Sequence, residues 1–352
     1  MSILAIIIST TIAFAVPLML VALGGMFSER SGVVNIALEG IMIFSALFGA
    51  LFLRFTLDAS YAAGYPGISS FYAAHPALQT WFLTHVQWTV LLGIILSALM
   101  GSLFSVLLAF ASINLKADQV IGGTALNIFA PAFAVVLAWA IQGQGLTDIT
   151  IPNVITFSSE SFGIDPATIP AWLDTLLSKK LYLTTFISII VLIASFIVLY
   201  KTKFGLRLRA CGEHPQAADS VGINVYRMRY AGVLISGALG GMGGIAYVFA
   251  SSNSRFIADV AGYGFLALAV MIFGNWKPFR ILAAALFFSF FKTLSALATD
   301  PAITFLPHFN IIKEEYLYMI LPYLLTMIVL AFTSKKSRAP KAEGIPYDAG
   351  KR

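Results

Sequence analysis

Four polar side chains, Asn35, Glu39, Asn127 and Lys292, interrupt otherwise apolar stretches of this sequence. Glu39 and Lys292 are ionisable and fall inside runs long enough to cross a membrane. An ionisable group in such a place is costly and faces a bundle interior or a watery path. The chemistry open to it is proton carriage, contact with a polar solute, or a structural pairing. Glu39 lies in FSERSGVVNIALEG (27–40). A helix starting at residue 32 puts it about seven residues in, roughly 10 Å deep, with Asn35 one turn earlier on the same face. The alternative for Glu39 is to cap or pair with a neighbouring helix. Lys292 lies six residues from the end of its run and either snorkels to the interface, pairs with Glu39 or lines a solute path. Asn127 lies in ADQVIGGTALNIFAP (117–131), where two glycines and a proline weaken a helix. This run reads as a broken helix lining a solute site or as a proline kink whose asparagine bonds a neighbouring carbonyl.

Other chemistries find no support in the sequence. The single Cys211 excludes an internal disulfide, and the four histidines are too far apart for metal-ligand spacing. Gly262-x-Gly264-x-x-Ala267 imitates a dinucleotide fingerprint, but no strand precedes it. Gly344 to Gly350-Lys351 does not have the spacing of a phosphate loop. No nucleophile–base constellation suggests an enzyme. The expectation is a chain without its own ATPase, metal or bound cofactor.

The elements that position these residues follow from composition. Of 352 residues, 59% are apolar and 11% charged, against about 45–50% and about 25% in a soluble domain, and mean hydropathy is +0.88. So few charged groups cannot cover a soluble surface of this size. The expected fold is all-α, a polytopic integral membrane helix bundle. A span needs about 20 apolar residues, and nine candidates are found: 3–27, 32–53, 87–111, 120–141, 181–200, 230–253, 263–273, 278–298 and 316–333. The seventh is too short to cross unaided and reads as part of a broken or re-entrant element, which only a protein-lined or watery setting tolerates. The membrane domain is 1–333, with loops at 54–86 and 142–180 and a basic tail at 334–352.

Charge orients the bundle. Alternation across nine spans puts one set of segments on the same side as Arg30, Lys116, six basic residues in 201–229, Lys277, Arg280 and six in the tail, which is 16 of the 22 basic residues. By the positive-inside rule that side is cytoplasmic. The N-terminus is then outside, the tail inside, and 54–86 and 142–180 are external. The net charge of +6 reports this asymmetry and gives no sign of nucleic-acid binding. Two motifs remain. In SGALGGMGG (236–244), Gly237/Gly241 and Gly240/Gly244 are GxxxG pairs suited to close helix packing. In LRACGEHPQAADSVGIN (208–224), Pro215 suits the first turn of a short helix ended by Gly222. That helix either touches a cytosolic partner or lies at anionic headgroups.

The ordered set of motifs, joined by GYGFLALAVMIFGNWKP (262–278) and LPYLLTMIVL (321–330), resembles the permease subunits of ABC importers in the branched-chain amino acid and simple-sugar permease superfamily. Within it, the chain is most similar to the nucleoside branch that uses a basic membrane lipoprotein. The resemblance implies a bacterial plasma-membrane permease that works by alternating access. Its partners would be a cytosolic ABC ATPase that uses the ATP, a second, paralogous permease and an external substrate-binding lipoprotein. It also implies that the loop with Gly212, Glu213, Pro215, Ala218 and Gly222, flanked by Arg207 and Arg209, is a coupling helix docking on the ATPase. A sugar or branched-chain amino acid substrate stays open, as does an ion-coupled secondary transporter using Glu39.

Overall fold

The computed structural model describes residues 3–152, 181–252, 254–298 and 339–348, with scattered positions in 156–173, at 320–327 and Gly350. Among the described residues, seven helices are long and apolar enough to cross a membrane. They are α1 (Ile3–Arg30), α2 (Leu38–Leu57), α6 (Val86–Ala109, continued by a π turn to Asn114), α7 (Gln119–Gln142), α8 (Leu183–Lys201), α11 (Val225–Ala250) and α13 (Pro278–Ala298). A short apolar helix, α12 (Tyr263–Phe273), precedes α13. The expected span 316–333 lies almost wholly outside the described residues. Between α2 and α6 run α3 (Ala59–Ala63), α4 (Pro66–Ala74) and α5 (Pro76–Thr84), with Trp81 and Trp88 partly exposed. Between α8 and α11 run α9 (Lys203–Glu213) and α10 (Pro215–Ser220). A two-residue ribbon pairs β1 (Ile149–Thr150) antiparallel with β2 (Arg255–Phe256). The protein is a polytopic helical membrane protein.

Helix α11 is the central post. In its apolar stretch 78% of residues are buried, against 17% for α7 and 33% for α8, which therefore present their apolar faces outward. Lipid is as apolar as leucine, so close packing rather than hydrophobic transfer holds such helices together. The glycines of α11 permit it. A methyl at Gly237 or Gly241 would strike the α6 backbone at Gly101 or Ser97, and one at Gly244 would strike the carbonyl of Met42 in α2. Gly240 faces Ile41 Cγ2, which a methyl would meet at 3.0 Å.

Two expectations about helix continuity are corrected. The span read as 32–53 begins at Leu38, and residues 31–37 form an irregular link. Its polar groups are absorbed locally and from α7: Ser28 Oγ donates to the Val33 carbonyl (2.7 Å), Ser31 Oγ to the Ser28 carbonyl (2.6 Å), and Val34 N donates to Gln119 Oε1 (2.7 Å). Conversely, α7 is continuous through Gly122, Gly123 and Pro131 where a broken helix was one reading. Gly123 instead gives the link room, since a methyl there would meet Ile36 Cβ at 3.0 Å. Apart from β2, the described residues of 251–262 form a second irregular stretch leading from α11 into α12, with Ser254, Ala258 and Ala261 at φ +60°, +58° and +50°. Backbone of this kind survives at membrane depth only when protein satisfies it.

The tail folds back onto the bundle. Ala342 N donates to the Gly212 carbonyl (2.8 Å), and the buried Arg229 Nη1 donates to the Ile345 carbonyl (2.9 Å). Lys116 Nζ pairs with Asp348 (3.0 Å), and Tyr347 is buried edge-on to Tyr226, with ring centroids 5.4 Å apart.

Candidate functional site

The two irregular links meet inside the bundle, and Glu39 joins them. It stands in the first turn of α2, 8% exposed, rather than two turns into a helix. Gly262 N donates to its Oε1 (2.9 Å) and Gly264 N to its Oε2 (2.6 Å), so the carboxylate closes the N-terminus of α12. A helix begins with unsatisfied N–H groups and a partial positive charge, which a carboxylate complements. Gly262 is left-handed at φ +75°. A methyl at Gly264 would overlap the Glu39 backbone and carboxylate. At 1.5 Å per residue, the 11 residues of α12 span about 16 Å. The helix ends at the loop holding Trp276, whose carbonyl accepts from Arg30 Nη2 at 3.4 Å. The Glu39 cap therefore lies about half a hydrocarbon core away from the basic end.

The other pathway candidates gather around the same junction. Asn127 Oδ1 accepts from Gly40 N (2.8 Å), and its Nδ2 donates to the Ile36 carbonyl (2.8 Å). One amide thus serves both the irregular link and the first turn of α2. Asn35 is off the helix, fully buried, and its Nδ2 donates to Ser236 Oγ of α11 (2.8 Å). Among the described residues no ion pair joins Lys292 to Glu39. Its Nζ lies 5.7 Å from the centroid of the Tyr263 ring, a separation at which cation–π attraction acts. Sequence reasoning missed Gln119, Ser236, Tyr263, Asp259 and Phe265. Asp259 and the half-exposed Phe265 flank the Gly262–Gly264 donors. Gly262-x-Gly264 was the signal available, and its relevance lay in backbone N–H groups rather than in a nucleotide.

The basic end carries a second constellation. The helix expected from Pro215 is present, and Gly222 after it is left-handed at φ +82°. Gly212, Pro215 and Ala218 are buried under it. A methyl at Gly212 would strike the Arg30 carbonyl, so this glycine seats α9 against the end of α1. Glu213 Oε1 faces Arg30 Nη1 at 3.7 Å. Arg207 is exposed, whereas Arg209 turns over the Tyr200 ring, 4.9 Å from its centroid. The face open to a partner is Gln216, Ala217, Ser220 and Val221, and Val221 is 74% exposed. The buried thiol of Cys211 is pushed up to about 11 by desolvation, so it is unreactive at neutral pH. At the end of α1, Trp276 Nε1 donates to Glu29 Oε2 (2.6 Å). Burial raises the carboxyl of the tail's Glu343, while Glu29 and Arg30 hold it down less strongly.

A family model described as the branched-chain amino acid transport system / permease component matches residues 7–330. The chain belongs to that permease family. It is 39% identical to the guanosine ABC transporter permease protein NupQ of Bacillus subtilis, covering 99% of this chain and 98% of the relative. It is 38% identical to the nucleoside ABC transporter permease protein NupC of Lactococcus lactis, covering 98% and 97%. A third relative, the nucleoside ABC transporter permease protein NupB of the same Lactococcus strain, is 27% identical over 82% of this chain and 71% of its own length. No solved structure matches. The permease is therefore a transport subunit, and among the described residues the capped junction and the α9–α10 surface are places where its structure departs from plain helix packing.

Proposed function

We propose that the permease imports nucleosides as one of two paralogous membrane subunits of an ABC importer, driven by a separate ATPase and fed by an external binding protein. The observation that carries this reading is the near-complete coverage of two relatives named for guanosine and nucleoside transport. That one Lactococcus strain holds two similar nucleoside permeases supports the paralogous pair. The bias of basic residues supports a cytoplasmic tail and coupling loop, with the N-terminus outside.

The division of labour follows. The exposed face of α10, with Val221 as its apolar anchor, contacts the ATPase. Gly212 seats α9 against the end of α1, Ala218 packs α10 into the cluster of Cys211, Val225 and Tyr347, and Arg207 flanks them. Closure of the ATPase moves α9–α10, and Gly212 and Glu213 pass the motion to the Arg30 end of α1. A conformational change of this kind needs binding energy that differs between states, which ATP supplies through this contact. The 31–37 link follows Arg30 directly and ends at the Glu39–α12 cap, so displacement at the basic end reaches the middle of the bundle. There Asn127, Lys292 and Asp259 offer hydrogen-bonding groups, and Phe265 offers a ring face, to a solute with hydroxyls and a flat base. Asn35 and Glu39 hold the backbone that shapes the path.

Reconstitution of the permease with its paralogue, ATPase and binding protein tests the proposal. The expected result is ATP-dependent uptake of labelled guanosine that unlabelled nucleosides compete away and glucose or leucine do not. Uptake driven by a proton gradient without ATP would overturn it.

A further inference from the structure

A cavity of about 480 Å³ opens at the basic end, between the end of α1, the α8–α9 corner and the loop leading into α13. Four cationic side chains frame it, Arg30, Arg209, Lys277 and Arg280, with Glu213 as the one carboxylate in its wall and Tyr200 and Asn275 completing it. These cations are poorly matched by the protein. The Arg30 side chain is 13% exposed, meets Glu213 at 3.7 Å and the Trp276 carbonyl at 3.4 Å; the carboxyl of Glu343 lies nearby, and Arg30 Nε is buried without a hydrogen-bond partner. Arg209 lies over the Tyr200 ring and its Nε reaches the Gly205 carbonyl at 3.4 Å, and among the described residues it forms no ion pair. Lys277 and Arg280 are exposed, and among the described residues neither forms an ion pair. Concentrating cations in a partly desolvated pocket is unfavourable unless an anion completes it. Guanidinium forks suit the oxygens of a phosphate group.

The surface beside the cavity decides where the phosphate comes from. Phe196 of α8 and Phe279 of α13 touch, with ring centroids 5.2 Å apart. Above them, exposed Ile190, Ile193 and Ile197 on α8 and Phe279, Leu286 and Phe290 on α13 form apolar faces. A soluble anion has no use for such faces, whereas acyl chains do. We propose that the cavity binds the phosphate group of an anionic phospholipid, whose chains lie along the α8–α13 groove. Basic pockets between helices at a membrane surface are a recurring way of holding such headgroups. The bound lipid would brace Arg30 against the α12–α13 loop, next to the contact through which α9 meets α1.

The test uses the full transporter in nanodiscs of phosphatidylcholine alone, phosphatidylcholine with phosphatidylglycerol, or phosphatidylcholine with added inorganic phosphate. Thermal unfolding and retained phosphatidylglycerol are measured. Lys277→Gln/Arg280→Gln is compared with Lys201→Gln/Lys203→Gln, which removes as much charge from the same end outside the cavity. The expected result is an unfolding midpoint raised by phosphatidylglycerol, and retention that falls several-fold in the first variant and not in the second. Lys277→Arg/Arg280→Lys should keep retention, which separates charge from misfolding. Stabilisation by inorganic phosphate equal to that by phosphatidylglycerol would overturn the lipid source. Equal lipid loss in both glutamine variants, or in neither, would overturn the site. Loss of ATPase binding from Lys277→Gln/Arg280→Gln with lipid retention unchanged would assign these cations to the partner protein and overturn it too.

Discussion

Replacing Glu39 by glutamine isolates the contact on which the interior junction rests. The side chain keeps its length and one acceptor oxygen. The carboxylate accepts from Gly262 N at 2.9 Å and Gly264 N at 2.6 Å, and hydrogen bonds to a charged group contribute about 1.5–3 kcal/mol each. In glutamine one acceptor survives at about 0.5–1.5 kcal/mol, and the amide NH2 is left facing the other backbone N–H. Loss of the charge at the start of α12 removes up to about 2 kcal/mol more. The expected total is about 3 kcal/mol, because neighbouring terms do not add fully. At roughly 2 °C per kcal/mol for a chain of this size, the unfolding midpoint in nanodiscs should fall by about 6 °C. Uptake per folded molecule should also fall, since α12 begins at the junction of the two links. A midpoint indistinguishable from wild type would refute the cap as a stabilising element. A normal midpoint with uptake lost and pH dependence altered would instead make Glu39 a solute- or proton-handling group.

Three further outcomes are expected. Val221→Asp puts a charge on the exposed apolar tip of the coupling loop and should abolish co-purification of the ATPase while the unfolding midpoint stays unchanged; normal co-purification would move the docking face elsewhere. Gly212→Val drives a side chain into the Arg30 carbonyl, so ATP hydrolysis should continue while uptake drops at least about tenfold, a 1.4 kcal/mol loss of coupling; fully coupled transport would count against this relay. The carboxyl of Glu343 is raised mainly by burial, so the docked tail favours the protonated form. Protection of the tail from protease should be strongest at low pH, weaken as pH climbs from the ordinary carboxylate value to the raised one, and be flat above it. Glu343→Gln should remove that dependence, and an unchanged pH profile would refute it.

Much of the architecture was legible because a membrane leaves the chain few options. Apolar runs of span length become helices since lipid offers no other partner for backbone polar groups. The paired glycines of 236–244 pack closely because nothing else about them suits a helix interior. The short helix α10 was readable as well, since Pro215 and Gly222 act through local φ preferences. Less readable was which of its side chains stay open: the residues singled out there, Gly212, Pro215 and Ala218, are buried, and the exposed side is the plain Gln216, Ala217, Ser220 and Val221. The tail, expected as a basic extension, is held by Arg229 and Gly212 from elements over 100 residues earlier.

The sequence by itself determined a basic-sided, all-helical membrane bundle with two ionisable groups inside it. Tertiary structure decided how far the breaks between helices extend. In the 31–37 link Gly32, left-handed at φ +95°, marks where α1 ends, but Val33-Val34-Asn35-Ile36-Ala37 carries no proline or glycine and is still irregular, whereas Gly122, Gly123 and Pro131 sit in an unbroken helix. A break is stable only where outside partners replace the lost backbone bonds. Those partners, Gln119 and Asn127 for one link and Glu39 for the start of α12, lie about 85 to 225 residues away in the chain. No local pattern encodes such a distance, so the site became visible only once the helices were packed.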